Sequence, residues 1–119
     1  MAYRVEVTTG PQTGESYPLD SAHGTIIGRN PANNIYLQDR SVSRSHCQIK
    51  MDSDAGHCVV EDLGSTNGTF VNGERVTERR LNEGDLIQLG IYKLRLVRYD
   101  DENGSMISTT MLQNQNPDK

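Results

Sequence analysis

The sequence has no surplus of basic residues: 12 Lys and Arg stand against 16 Asp and Glu, a formal net charge of −4. Nucleic-acid-binding domains usually carry a positive excess, so this balance argues against a nucleic acid as partner, although a local cluster of arginines is unaffected by the total. Cysteine is scarce. Cys47 and Cys58 are too few for a disulfide framework and match no zinc spacing, so two reduced, buried thiols of a cytoplasmic protein are expected. Hydrophobic runs, glycine aside, stop at three residues, as in Cys58-Val59-Val60, which excludes a membrane span. Met1-Ala2-Tyr3-Arg4 lacks a basic-then-apolar leader, which argues against secretion and for a cytoplasmic location. His23, His46 and His57 stand at no metal-ligand spacing and the carboxylates are scattered, so neither a metal nor a cofactor is expected.

What is present reads as one small domain. The chain has 119 residues with a hydrophobic share of 34%, enough for a modest core with generous loops. Arg4-Val5-Glu6-Val7-Thr8 and Cys47-Gln48-Ile49-Lys50-Met51 alternate polar with apolar, the period of half-buried strands. Residues 57–61 answer the second of these across a polar loop, as a hairpin would. Asn72-Gly73, between Thr69-Phe70-Val71 and Glu74-Arg75-Val76, is the strongest two-residue hairpin signal because both central residues must take positive φ. Further short strands are expected around Tyr17, at 25–27, 34–37, 86–89 and 93–97. Arg79-Arg80 reads as a solvated turn. No window carries a sustained helical period, and about ten short strands with frequent turns describe an all-β sandwich or barrel. Residues 100–119 are rich in Asp, Asn, Gln, Ser and Thr and read as a flexible polar tail or the start of a linker, leaving residues 1–99 as the domain.

Three clusters carry the chemistry, and all lie between strands: Gly28-Arg29, Ser43-Arg44-Ser45-His46, and the run from Asp62 to Thr69 that contains Ser65-Thr66-Asn67-Gly68. Arg29 and Arg44 supply fixed positive charge in forked geometry, Ser43 and Thr66 supply hydroxyl donors, and the glycines let backbone N–H groups approach a ligand. Such a donor set suits a tetrahedral oxyanion, phosphate above all. Asn67, which both donates and accepts, suits a peptide main chain. A Ser43–His46 catalytic dyad is not expected, because side chains three apart on an extended segment point to opposite faces.

In this order, with Ser65-Thr66-Asn67-Gly68-Thr69 last and Leu81-Asn82-Glu83-Gly84-Asp85 and Leu89-Gly90 following, the motifs resemble the forkhead-associated (FHA) domain over roughly residues 3–99. The resemblance implies an all-β, two-sheet β-sandwich of about eleven short strands. It also implies a non-catalytic module that binds phosphothreonine made by a Ser/Thr kinase in a partner protein, and so assembles signalling complexes. Carried over by position, Arg29, Ser43, Arg44, Thr66 and Asn67 would bind the phosphopeptide, and Gly28, His46 and Gly68 would support the site structurally. Gly28 would allow a close turn, and His46 would brace the binding loop. Ser41 and Val42, with the stretch after Gly90, would read the residues that follow the phosphothreonine. Thr109 and Thr110 in the tail are possible phospho-acceptors able to occupy the chain's own pocket or that of a second copy. The other reading carried from the sequence is a structural interaction module indifferent to phosphate.

Overall fold

The computed structural model describes residues 2–52 and 57–99, which form eleven strands and no helix. In chain order they are β1 (Ala2–Thr9), β2 (Ser16–Pro18), β3 (Thr25–Gly28), β4 (Ile35–Tyr36), β5 (Cys47–Asp52), β6 (His57–Asp62), β7 (Thr69–Val71), β8 (Glu74–Val76), β9 (Glu78–Leu81), β10 (Leu86–Leu89) and β11 (Tyr92–Tyr99). The alternation seen in the sequence sets which side of each strand is buried. β1 turns Tyr3, Val5 and Val7 inward, and β11, paired with it antiparallel, turns Tyr92, Leu94 and Leu96 inward. One sheet runs β2-β1-β11-β10-β7-β8 and the other β4-β3-β5-β6-β9, which makes the fold a two-sheet β-sandwich. Ile27, Cys47, Ile49, Cys58 and Val60 of the second sheet complete the core against Val5, Val7, Ile87, Leu89 and Leu94 of the first.

The Asn72-Gly73 hairpin forms as the dipeptide predicts, with φ of 51° and 86°. The β5–β6 pairing is also as expected, although most of its loop (53–56) lies outside the described residues. Residues 78–81, expected as a solvated turn around Arg79-Arg80, form a strand instead. β9 pairs along β6, from Cys58↔Leu81 to Glu61↔Glu78, and buries only Leu81. One apolar residue in four gives no local period. The strand exists because β6 presents an open edge, and its charged side chains suit an edge exposed to water.

Register places the chemistry. Ile27 of β3, Cys47 of β5 and Asp62 of β6 are neighbours across one sheet, and Leu89 of β10 pairs with Thr69 of β7 in the other. The segments following β3, preceding β5, joining β6 to β7 and joining β10 to β11 therefore emerge at one end of the sandwich. Both thiols are buried and unbridged; burial pushes Cys47 up to about 12 and Cys58 up to about 11.

Candidate functional site

Gly28 closes β3 against the backbone of residue 44. A Cβ there would lie 2.1 Å from the Arg44 carbonyl oxygen, so glycine is required by close approach. Its φ lies outside the positive region, so the close turn expected of it is in fact a close contact between two chain segments. With the segments in contact, Arg29 N–H donates to Ser43 C=O at 2.9 Å and Asn30 N–H to Arg44 C=O at 3.2 Å. Asn33 Nδ2 also donates to the Arg44 carbonyl. Arg29 Nε donates to Val42 C=O at 2.9 Å, which aims the guanidinium while its terminal nitrogens make no bond among the described residues.

His46 is fully buried beneath this stitch. Its Nδ1 accepts the Ser43 N–H at 3.0 Å, so Nε2 carries the proton and donates to Gly68 C=O at 2.8 Å. Burial lowers its pKa, against the opposing pull of the Gly68 carbonyl and the Asp62 charge. Residues 43–46 form a turn, so the extended geometry invoked against a Ser–His dyad is absent. The dyad is excluded for another reason: both ring nitrogens are engaged with backbone groups, which leaves none for the Ser43 hydroxyl. Ser43 Oγ instead accepts Thr66 N–H at 3.0 Å, tying the second cluster to the third.

The β6–β7 loop is shaped by Asp62. Its Oδ2 accepts the N–H groups of Gly64 and Ser65, each at 3.1 Å, while Oδ1 accepts the hydroxyls of Ser65 and of Thr69, the latter at 2.7 Å. Burial raises the Asp62 pKa, but these bonds together outweigh it and hold the carboxyl below its ordinary value. Gly68, at φ 92°, donates its N–H to Ser65 Oγ and turns the chain into β7. Thr66 and Asn67 are left exposed at the crest. Asn67 Nδ2 donates to Ser41 C=O at 3.0 Å, which leaves its carbonyl and second amide hydrogen outward. Ser41 Oγ donates to Asp39 and accepts Ile91 N–H at 3.0 Å, drawing the β10–β11 turn against the same rim.

The structure thus joins Arg29, Ser43, Arg44, Thr66 and Asn67 on one rim, with Gly28, His46 and Gly68 beneath it. Arg29, Arg44, Thr66 and Asn67 are exposed and Ser43 is half-buried. Of the two residues expected to read flanking sequence, Ser41 stands at the rim, whereas the Val42 side chain is in the core and its carbonyl holds Arg29. Thr109 and Thr110 lie outside the described residues. Among the described residues neither Arg29 nor Arg44 forms an ion pair; the nearby Asp39 accepts Ser41 through Oδ2, and both oxygens of Asp62 are engaged by residues 64–69. Sequence reasoning did not assign the supports Asn30, Asn33 and Asp62. Asp62 was findable, since an Asp three residues before a Ser in a Gly-containing loop is a turn signature.

Comparisons with known proteins bear on the family and the fold. The model of the FHA domain matches residues 18–90. The chain is 38% identical over 101 residues to the glycogen accumulation regulator GarA of Mycolicibacterium smegmatis, covering 83% of this chain and 62% of that protein. It therefore spans less than two thirds of that relative's length. Among solved structures, the FHA domain of CT664 from Chlamydia trachomatis superposes with a TM-score of 0.78 at 31% identity, over 84% of this chain and 100% of that one. The N-terminal FHA domain of S. cerevisiae Rad53p, solved in complex with a phosphothreonine peptide, gives 0.72 at 25% identity, over 87% and 97%. The chain belongs to the FHA family.

Proposed function

We propose that this FHA domain is a non-catalytic reader of phosphothreonine, and that it docks a partner protein once a Ser/Thr kinase has modified it. One observation carries the reading. Hydrogen bonds from Arg29 N–H to Ser43 C=O and from Thr66 N–H to Ser43 Oγ gather donors from three loops on one rim that no carboxylate among the described residues neutralises. A phosphate monoester brings about −1.5 to −2 charges and three acceptor oxygens. Arg29 and Arg44 meet the charge, and the hydroxyls of Ser43 and Thr66 donate to the oxygens. Asn67, with an outward carbonyl and one amide hydrogen, pairs with the peptide main chain.

Three or four charge-assisted bonds at about 1.5–3 kcal/mol each supply about 5–12 kcal/mol, and the ordering of an extended peptide is set against this, so the binding is reversible. Phosphorylated Thr109 or Thr110 is a candidate ligand in cis or from a second copy, and a cytoplasmic setting supplies the kinase. The test is calorimetric titration of the purified domain with matched phosphothreonine, phosphoserine and unmodified peptides drawn from a degenerate library. Binding confined to phosphorylated peptides, strongest for threonine, is expected. Equal binding of modified and unmodified peptides would instead identify a phosphate-indifferent interaction module.

A further inference from the structure

One cation outside the five rim residues presses on the binding loop without a counter-charge among the described residues. Arg75 lies on β8, directly across from the half-buried Phe70. Its guanidinium covers Gly68. A Cβ at position 68 would meet Arg75 Nε at 2.8 Å and Cζ at 3.0 Å. Gly68 is the residue whose carbonyl holds His46 and whose N–H holds Ser65, immediately after Thr66 and Asn67 on the crest. The absence of a side chain at 68 is what lets the guanidinium lie against this loop.

The charge on Arg75 meets no opposite charge among the described residues. Its neighbour Glu74 is engaged by Arg79, Nη1 to Oε1 at 2.7 Å. Among the described residues the Arg75 side chain forms neither an ion pair nor a hydrogen bond, and the residue is exposed. A guanidinium is planar, permanently charged and matched to bidentate recognition of carboxylates. Held against Gly68, it keeps its donors close to wherever a peptide crosses Asn67.

We infer that Arg75 is a specificity residue: it pairs with an acidic side chain, Asp, Glu or a second phosphorylated residue, flanking the phosphothreonine. This inference rests on the phosphothreonine reading above. The bland alternative is that the guanidinium only packs on Gly68, and charge reversal separates the two. A phosphothreonine peptide library randomised on both sides is screened against the wild-type domain, Arg75→Gln and Arg75→Glu.

The wild type is expected to enrich acidic residues at one flanking position, Arg75→Gln to lose that enrichment, and Arg75→Glu to favour Lys or Arg at the same position. Two peptides differing only as Glu or Gln there should differ about 3- to 5-fold in affinity for the wild type, shrinking with added salt, and be equivalent for Arg75→Gln. Phosphate-dependent binding with the same flanking preference in all three proteins overturns the role of Arg75 and leaves the pocket standing. Binding that ignores the phosphate in the wild type overturns the pocket reading and the inference together.

Discussion

Replacing Gly28 with Ala tests the joint on which the rim depends. The added methyl would sit 2.1 Å from Arg44 O, 2.7 Å from Arg44 C and 2.7 Å from Asn33 Nδ2. Two of these atoms are backbone, so no rotamer change relieves the clash and the segments carrying Arg29 and Arg44 must part by more than 1 Å (roughly the shortfall from ordinary van der Waals contact). That separation breaks or stretches the bonds from Arg29 N–H, Asn30 N–H and Asn33 Nδ2, at about 1 kcal/mol each, in addition to an overpacking cost of about 1–3 kcal/mol. The expected loss of stability is therefore about 4–6 kcal/mol. Gly64→Ala is the control: at φ 78° with nothing within 4 Å of its Cβ, it meets backbone strain alone, about 1 kcal/mol. Urea unfolding gives both numbers, and calorimetry on whatever Gly28→Ala remains folded should show phosphopeptide affinity falling with stability. Near-equal midpoints for the two variants would refute the close-approach account of Gly28.

Arg29→Ala should cost about 2–4 kcal/mol of phosphopeptide binding and, by freeing the Val42 carbonyl, about 1 kcal/mol of stability in urea unfolding; normal calorimetric binding removes Arg29 from the site. The pKa of His46 is lowered by burial in the folded state, so folding favours the neutral ring; its contribution is complete above the ordinary value of 6.5 and lost as pH falls through the lowered one. His46→Gln should flatten the slope of urea midpoint against pH between neutrality and pH 5 relative to the wild type; identical slopes would contradict the assigned tautomer and partners. Asp62→Asn leaves two loop N–H groups facing an amide, and should cost about 1–3 kcal/mol by thermal unfolding together with weaker phosphopeptide binding; an unchanged midpoint speaks against Asp62 as the loop's organiser. Cys47, buried with its thiol pushed up to about 12, should resist iodoacetamide in native buffer and react after unfolding; fast native labelling in a mass spectrum would contradict its placement.

Much of the sandwich was legible because strand burial is a period-two signal. Val5 and Val7, Cys47 and Ile49, and Leu94 and Leu96 announce their faces, and Asn72-Gly73 announces its turn. β9 was not legible, since Glu78-Arg79-Arg80-Leu81 has no period of its own and becomes a strand only where β6 offers it an edge. The same distinction runs through the site. Residue types able to hold an anion can be read in Arg29, Ser43, Arg44, Thr66 and Asn67, because donor chemistry belongs to the residue.

How those donors are held belongs to pairs distant in sequence, and it was read only in part. Gly28 matters through Arg44, and His46 through both Ser43 and Gly68, 22 residues apart at the second bond. Val42, taken for a surface reader, contributes its carbonyl while its side chain fills the core, because the chain turns at 43–46 instead of running extended. A neutral, buried His46 that bridges two loops through opposite ring nitrogens couples their spacing. Neither loop can move without breaking a bond in a site that water does not reach, where an unmade bond costs about 1–3 kcal/mol. The rim is therefore set before any ligand arrives, and on the proposed reading this preorganisation would let so few exposed donors suffice for a useful affinity.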